Sequence, residues 1–258
     1  MNFTFYDSFL GSEFSDVKLN FINGDGKEDL ENNLKSQPLE WYYRDREIIY
    51  AHNTLGHRST YLKDLNFDAY ILFAGCSNTY GLGLELEQTY AYKVAKKLQI
   101  DYYNLSLPSS GLDVLSYNLL NWLTRFPKPK HLFIQWPDES RFVQKDHCTP
   151  NLYHSVGVWT TDKDAAKFMV LGDLLTYWRT RAELFYNLIK QQLDQYNIGS
   201  TFISFVLDGT KVEIPENIIY PAALDKARDL IHYGNNTNDD LYHKLINSLD
   251  NKLDYISR

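Results

Sequence analysis

Cysteine is almost missing from this chain: two residues in 258, Cys76 and Cys148. Two cysteines do not build a disulfide framework, so the fold must rest on packing. Basic excess is missing too. Lysine and arginine number 26 against 33 aspartates and glutamates, a formal charge of −7. A duplex nucleic-acid binder normally presents a basic face, so no nucleic-acid partner is expected. No apolar run approaches the roughly 20 residues that cross a bilayer, which excludes a helical membrane span. Met1–Asp7 lacks a basic segment followed by an apolar core. No secretory signal is therefore expected there, and a cytoplasmic site of synthesis is. Neither internal repeats nor low-complexity tracts occur.

Apolar residues make up 44% of the chain, enough for a sizeable core, and aromatics are plentiful, with 20 Tyr and 5 Trp. Such rings fill cores and rims, and they also suit interfaces and sugar faces. Up to about residue 68 the pattern lacks strong helical periodicity. Gly24-Asp25-Gly26 marks a turn and Pro38 breaks helix nearby. Trp41–Tyr43 and Glu47–Tyr50 read as short strands around an Arg44–Arg46 hairpin tip. From Ala69 onward strands and helices alternate. Strands are expected at 69–74, 101–105, 131–136 and 201–207. Helices are expected at 87–98, 112–125, 171–196 and 239–255, with a short extra element near 217–224. The stretch 141–170 reads as an irregular insertion. Alternation of this kind implies a parallel, doubly wound sheet.

Two motifs carry chemistry. Gly75-Cys76-Ser77 directly follows the apolar run Ala69–Ala74. A buried strand stopping at a Gly-x-Ser turn puts a hydroxyl at the carboxyl edge of the sheet, where open α/β sheets bind ligands. Far downstream, Asp229-Leu230-Ile231-His232 places a carboxylate three residues before an imidazole. A serine is a weak nucleophile until a base takes its proton. His232 supplies the base, and Asp229 a group to fix its tautomer. Each motif also has a plainer reading. The first is an ordinary strand-to-helix turn, or a phosphate-binding loop in a flavodoxin-like ligand binder. The second is a capping Asp beside a surface His. His147, Cys148 and His154 suggest a metal site but lack an evident fourth ligand.

In order, spacing and strand context the two motifs resemble those of the SGNH hydrolases, the GDSL esterases and lipases. Thr79 and Gly81 stand where that family commonly has Thr and Gly, and Tyr233-Gly234 with Asn238 resembles its run into the last helix. The resemblance implies a three-layer α/β/α sandwich with a mostly parallel, flavodoxin-like sheet over residues 69–258, and an amino-terminal appendage over residues 1–68. It implies an esterase without metal or organic cofactor. Ser77 would be the nucleophile, His232 the base and Asp229 its orienter, acting on an ester, for instance an O-acyl or O-acetyl group on carbohydrate. The backbone N–H of Ser77 would be one oxyanion donor, and Ser109, Ser110 or Gly111 would supply another. The family's third block carries an Asn whose side chain completes the oxyanion hole. Asp138 stands at that place, and a carboxylate cannot donate unless protonated. Gln135, Asn78 or Arg141 are the nearby substitutes. Tyr50, Asn53, Gly56 and Arg58 resemble a Tyr-x-x-Asn-x-x-Gly-x-Arg stretch found ahead of the serine motif in SGNH-like proteins of bacteria and phages. That would put Asn53 and Arg58 near the site, and the protein on a virion if phage-encoded. The departure at Asp138 also motivates an alternative, a weakened SGNH fold serving as a binding or structural module.

Overall fold

Tyr70–Ala74 is buried along its whole length, on both faces. A strand with no solvent face belongs in the middle of a parallel sheet covered on both sides. The computed structural model, which describes residues 2–4, 9–145, 152–174, 176–205, 214 and 216–249, places it there. In chain order the elements are β1 (Asn2–Thr4), β2 (Lys18–Leu19), α1 (Lys27–Ser36), β3 (Tyr50–Ala51), β4 (Tyr70–Ala74), α2 (Ser77–Tyr80), α3 (Tyr90–Leu98), β5 (Asp101–Asn104), α4 (Leu112–Arg125), β6 (His131–Gln135), β7 (Phe142–Lys145), β8 (Leu152–Val156), α5 (Lys163–Leu174), α6 (Tyr177–Gln195), β9 (Gly199–Ile203), β10 (Ile218–Ile219) and α7 (Asn235–Leu249).

The main sheet runs β10-β9-β6-β4-β5 and its pairs are all parallel. Alternate side chains feed two cores. Tyr70, Leu72, Leu132, Ile134 and Phe202 join Leu115, Leu119 and Trp122 of α4 and Ile189 of α6. Ile71, Phe73, Phe133 and Ile203 join Val94 of α3 and Leu241 and Leu245 of α7. This is the expected three-layer sandwich. Its strand order is that of a flavodoxin-like sheet, in which the topology switches direction between β4 and β6. The loop after β4 therefore opens into the crevice where such folds bind ligands.

Four expectations need correction. Residues 41–49 hold no hairpin: the chain makes a turn at 42–45, and only Tyr50–Ala51 is strand, paired with β2. Arg44 explains the difference. Its guanidinium donates to the carbonyls of Leu34 and Gln37, at 3.0 and 2.8 Å, closing the open end of α1. That helix has no buried residue, so it left no apolar stripe to read. The described residues of the insertion at 141–170 form regular elements rather than irregular chain. β7 and β8 pair antiparallel, β1 adds to β8, and α5 follows. Finally, the long helix expected at 171–196 is two. Thr176 takes a left-handed conformation, φ 53°, and the chain folds back so that Trp178 packs on Gly172. A Cβ at Gly172 would lie 2.3 Å from the Trp178 ring. The last helix also starts earlier than expected, because the Asp225 carboxylate accepts from the N–H groups of Asn236 and Thr237, at 2.9 Å each.

The amino-terminal third buries polar side chains against the sheet. Asn53 donates from Nδ2 to the Thr60 carbonyl and the Tyr103 hydroxyl, and its Oδ1 accepts from the N–H of Leu55 and His57. Arg58 donates to the carbonyls of Ile49, Tyr80, Gly81 and Leu84 and lies over the Tyr50 ring, 4.7 Å from its centroid. Phe9 and Leu65 belong to the same apolar cluster as Leu72 and Trp122.

Complete burial pushes the His57 imidazole down to about 3. An unfolded chain binds this proton near pH 6.5, whereas the folded one does not. Stability is therefore unaffected by this group above pH 6.5. It falls as pH drops from there toward 3, by at most about 1.4 kcal/mol per pH unit. His52, also lowered by burial, acts in the same direction. Urea unfolding at pH 7 and pH 4.5 should show that loss in the wild type, with a shallower pH slope in His57→Gln.

Candidate active site

The serine is presented by a turn with no slack. After β4 the chain passes Gly75 and Cys76 and enters α2 at Ser77. A Cβ on Gly75 would lie 2.5 Å from Thr79 Oγ1 and 2.8 Å from Gln135 Cβ and Oε1, so only glycine fits. The Cys76 N–H donates to Gln135 Oε1 at 2.8 Å, which ties the end of β4 to the end of β6. Thr79 Oγ1 donates to the same oxygen at 3.1 Å and meets the Tyr90 hydroxyl at 2.7 Å. Gly81 then closes α2 in a left-handed conformation, φ 79°.

The second arm comes from the loop between β10 and α7. Asp229 Oδ1 accepts from the N–H groups of Ile231 and His232, at 3.0 Å each, an Asx-type turn. Leu230 at its centre takes φ 59°. The other carboxylate oxygen, Oδ2, meets His232 Nδ1, and His232 Nε2 lies 2.8 Å from Ser77 Oγ. Ser77 and Asp229 are buried, while the imidazole keeps 17% side-chain exposure. Hydroxyl, imidazole and carboxylate thus form one hydrogen-bonded line across 155 residues of sequence. Such a line can move a proton from the serine to the imidazole and stabilise the cation that results.

The other candidate residues fall into two groups. Some are committed to the scaffold. Gln135 accepts as above and donates from Nε2 to the Trp136 carbonyl at 3.2 Å. The Ser110 hydroxyl bonds the carbonyls of Gly75 and Leu107. Ser109 takes φ 61°, and its carbonyl accepts from the Ser155 hydroxyl. Of the remainder, Asp138 and Asn78 line the cleft and Gly111 is buried. Gly111 heads α4, and a Cβ there would lie 2.4 Å from the Arg141 carbonyl. Asp138 is exposed, and its Oδ1 accepts from the Ser140 N–H at 2.8 Å and hydroxyl at 2.6 Å. Asn78 lines the cleft with a buried Oδ1 that has no partner among the described residues.

That cleft has a volume of about 830 Å³. Cys76 and Asn78, on either side of Ser77, form part of its wall, and Asp138, Arg141, Met169 and Trp178 form others. Sequence reasoning missed its wall at Val158, Met169 and Val170, because it left the insertion at 141–170 without structure. Gln135 was expected as a substitute oxyanion donor, and its place at a strand end did not reveal the bonds it makes to Cys76, Thr79 and Trp136. His147 and Cys148 lie outside the described residues. Among the described residues no group of three or more His, Cys, Asp or Glu side chains is arranged to hold a metal.

No family model matches the chain, and no curated protein matches it. Solved structures do. One is an acetyl xylan esterase from the rumen bacterium Butyrivibrio proteoclasticus, at 13% identity and TM-score 0.40, covering 74% of this chain and 65% of that one. Another is a family two carbohydrate esterase from Clostridium thermocellum in complex with cellohexaose, at 14% identity and TM-score 0.38, covering 73% and 65%. A third is a member of the lipolytic protein G-D-S-L family from Veillonella parvula, at 10% identity and TM-score 0.36, covering 71% and 99%. The chain thus spans 65% of the length of these carbohydrate esterases. At such identities the likeness concerns the fold alone.

The turn at Ser77 gives a direct test of its scaffold. Gln135→Leu strands the buried Cys76 N–H, and such a loss costs about 1–3 kcal/mol. Gly75→Ala forces its new methyl into Thr79 and Gln135. Both variants should unfold at lower urea than the wild type.

Proposed function

We propose that this chain is a serine esterase of the SGNH type that removes O-acyl groups, acetyl among them, from a carbohydrate through an acyl-enzyme. The observation that carries this reading is the 2.8 Å contact of Ser77 Oγ with His232 Nε2, backed by Asp229 on Nδ1. Ser77 Oγ attacks the ester carbonyl while its proton passes to His232 Nε2. The imidazolium, held by Asp229, returns that proton to the leaving alkoxide. Water then attacks the acyl-enzyme with His232 as base and releases the acid.

The developing oxyanion needs donors. Ser77 and Gly111 head helices, at positions whose N–H groups have no acceptor inside the helix. These two N–H groups are our candidates. Asp138 is not, because it is an acceptor already engaged by Ser140. The cleft mixes Asp138, Glu139 and Arg141 with Val158, Met169 and Val170. Such a mixed lining suits an amphipathic alcohol such as a sugar better than a bare alkyl chain.

A second reading, a binding module with weakened chemistry, is favoured by that same acceptor at Asp138. Losing one oxyanion donor costs roughly a hundredfold or more in rate. The two readings separate by covalent labelling. A fluorophosphonate probe should modify Ser77 in the wild type and leave Ser77→Ala untouched. Intact protein that binds an acetylated oligosaccharide but neither takes the label nor releases acetate would establish the module instead.

Variant kinetics test the assigned roles. With p-nitrophenyl acetate, Ser77→Ala and His232→Ala should each lower kcat by about 10⁴-fold or more. Asp229→Asn should lower it by about 10³–10⁴-fold. Wild-type rates in Ser77→Ala would remove this serine from the chemistry.

A further inference from the structure

The residue before Asp229 is Arg228, a buried arginine that is 1% exposed. Its Nη2 and Nε donate to the Asp25 carboxylate, at 2.7 and 3.1 Å. Asp25 is equally buried and comes from the amino-terminal third, 203 residues away. Nη2 also donates to the Asn20 carbonyl at 2.9 Å. The backbone of Arg228 is held as well: its N–H donates to the Gly83 carbonyl at 3.0 Å, and its carbonyl accepts from Asn33 Nδ2 at 3.0 Å.

The same node grips the serine arm. Asp25 accepts from the Tyr50 hydroxyl, which in turn accepts from the Gly83 N–H at 2.8 Å. Gly83 lies two residues beyond Gly81, the residue that closes the Ser77 helix. Its φ is +76°, and a Cβ on it would lie 2.7 Å from Ala227 Cβ and 3.1 Å from the Arg228 nitrogen. So the two arms of the site touch backbone to backbone beside a buried ion pair.

From this juxtaposition we infer that Asp25, Tyr50 and Arg228 are positioning residues that set the separation of the His232–Asp229 loop from Ser77. This rests on the serine-esterase reading and gives the amino-terminal third a part in it. None of the three touches the reacting atoms. Their effect is transmitted through Gly83 on one side and the Arg228–Asp229 peptide on the other. A misplacement of about 1 Å can lower a rate about 10²-fold.

The test must separate position from stability. Replacing a buried ion pair by apolar residues of similar volume is often neutral for folding. The double variant Asp25→Leu/Arg228→Met should therefore fold with an unfolding midpoint near wild type. Its kcat on p-nitrophenyl acetate should fall about 100-fold with KM within about threefold. The low-field proton resonance of His232 Nδ1–H should shift or broaden. Should the double variant fail to fold, Arg228→Lys keeps the charge but not the fork, and it should lower kcat at least tenfold. A folded variant with wild-type kcat and an unchanged resonance overturns the inference. If instead the wild type neither hydrolyses esters nor takes the fluorophosphonate label, the esterase reading falls. The His232 resonance still reports whether the node positions the loop.

Discussion

The bond from the Cys76 N–H to Gln135 Oε1 joins the ends of the two strands between which the sheet reverses its winding. Much of the site hangs on it. It fixes where β4 stops, and so where α2 can begin. Thr79 shares the same acceptor from one turn into that helix, so the helix bearing Ser77 cannot rotate without breaking two buried bonds. The glycine beneath is then obligatory, since any side chain would occupy the space the carboxamide needs. A hydroxyl held this way needs only an imidazole from elsewhere to complete the hydrogen-bonded line. The loop before α7 delivers it, having shaped itself around Asp229.

The sheet was legible because burial on both faces writes an unbroken apolar run. Tyr70–Ala74 and His131–Gln135 fall within a residue or so of the expected spans. Helix α4 falls on its expected bounds, closed by Phe126-Pro127. The serine and the Asp-x-x-His pair were legible for another reason: each is a local turn whose chemistry needs fixed residue types at fixed spacing. Their approach to within a hydrogen bond is a property of the parallel topology, which brings the loops at the carboxyl ends of the strands to one edge.

The first third resisted reading because buried polar side chains share its core with Ile22, Tyr43, Ile48 and Tyr50. Asn53, His57, Arg58 and Asp25 are buried, yet in a hydropathy pattern they look like solvated loop. Their burial is stabilised by carbonyls and N–H groups of a chain without regular structure, and no periodicity announces that. The break between α5 and α6 resisted for a related reason. Gly172 reads as a weak point in a helix, and only Trp178, packed against it from the next helix, turns that glycine into a fold-back. Asp138 was legible as an acceptor, and its engagement with Ser140 required the loop geometry.

The ion pair between Asp25 and Arg228 has a consequence for assembly. Its partners are separated by 203 residues, so the loop between them closes late and at an entropic disadvantage. During synthesis the amino-terminal third emerges first and must wait, with an unpaired carboxylate meant for the interior, until the far side of the sheet has been made. Nearest-neighbour strand pairs and the helices between them can form meanwhile, since their contacts are local. The Ser77 hydroxyl therefore meets the His232 imidazole only once the segment carrying Arg228 docks.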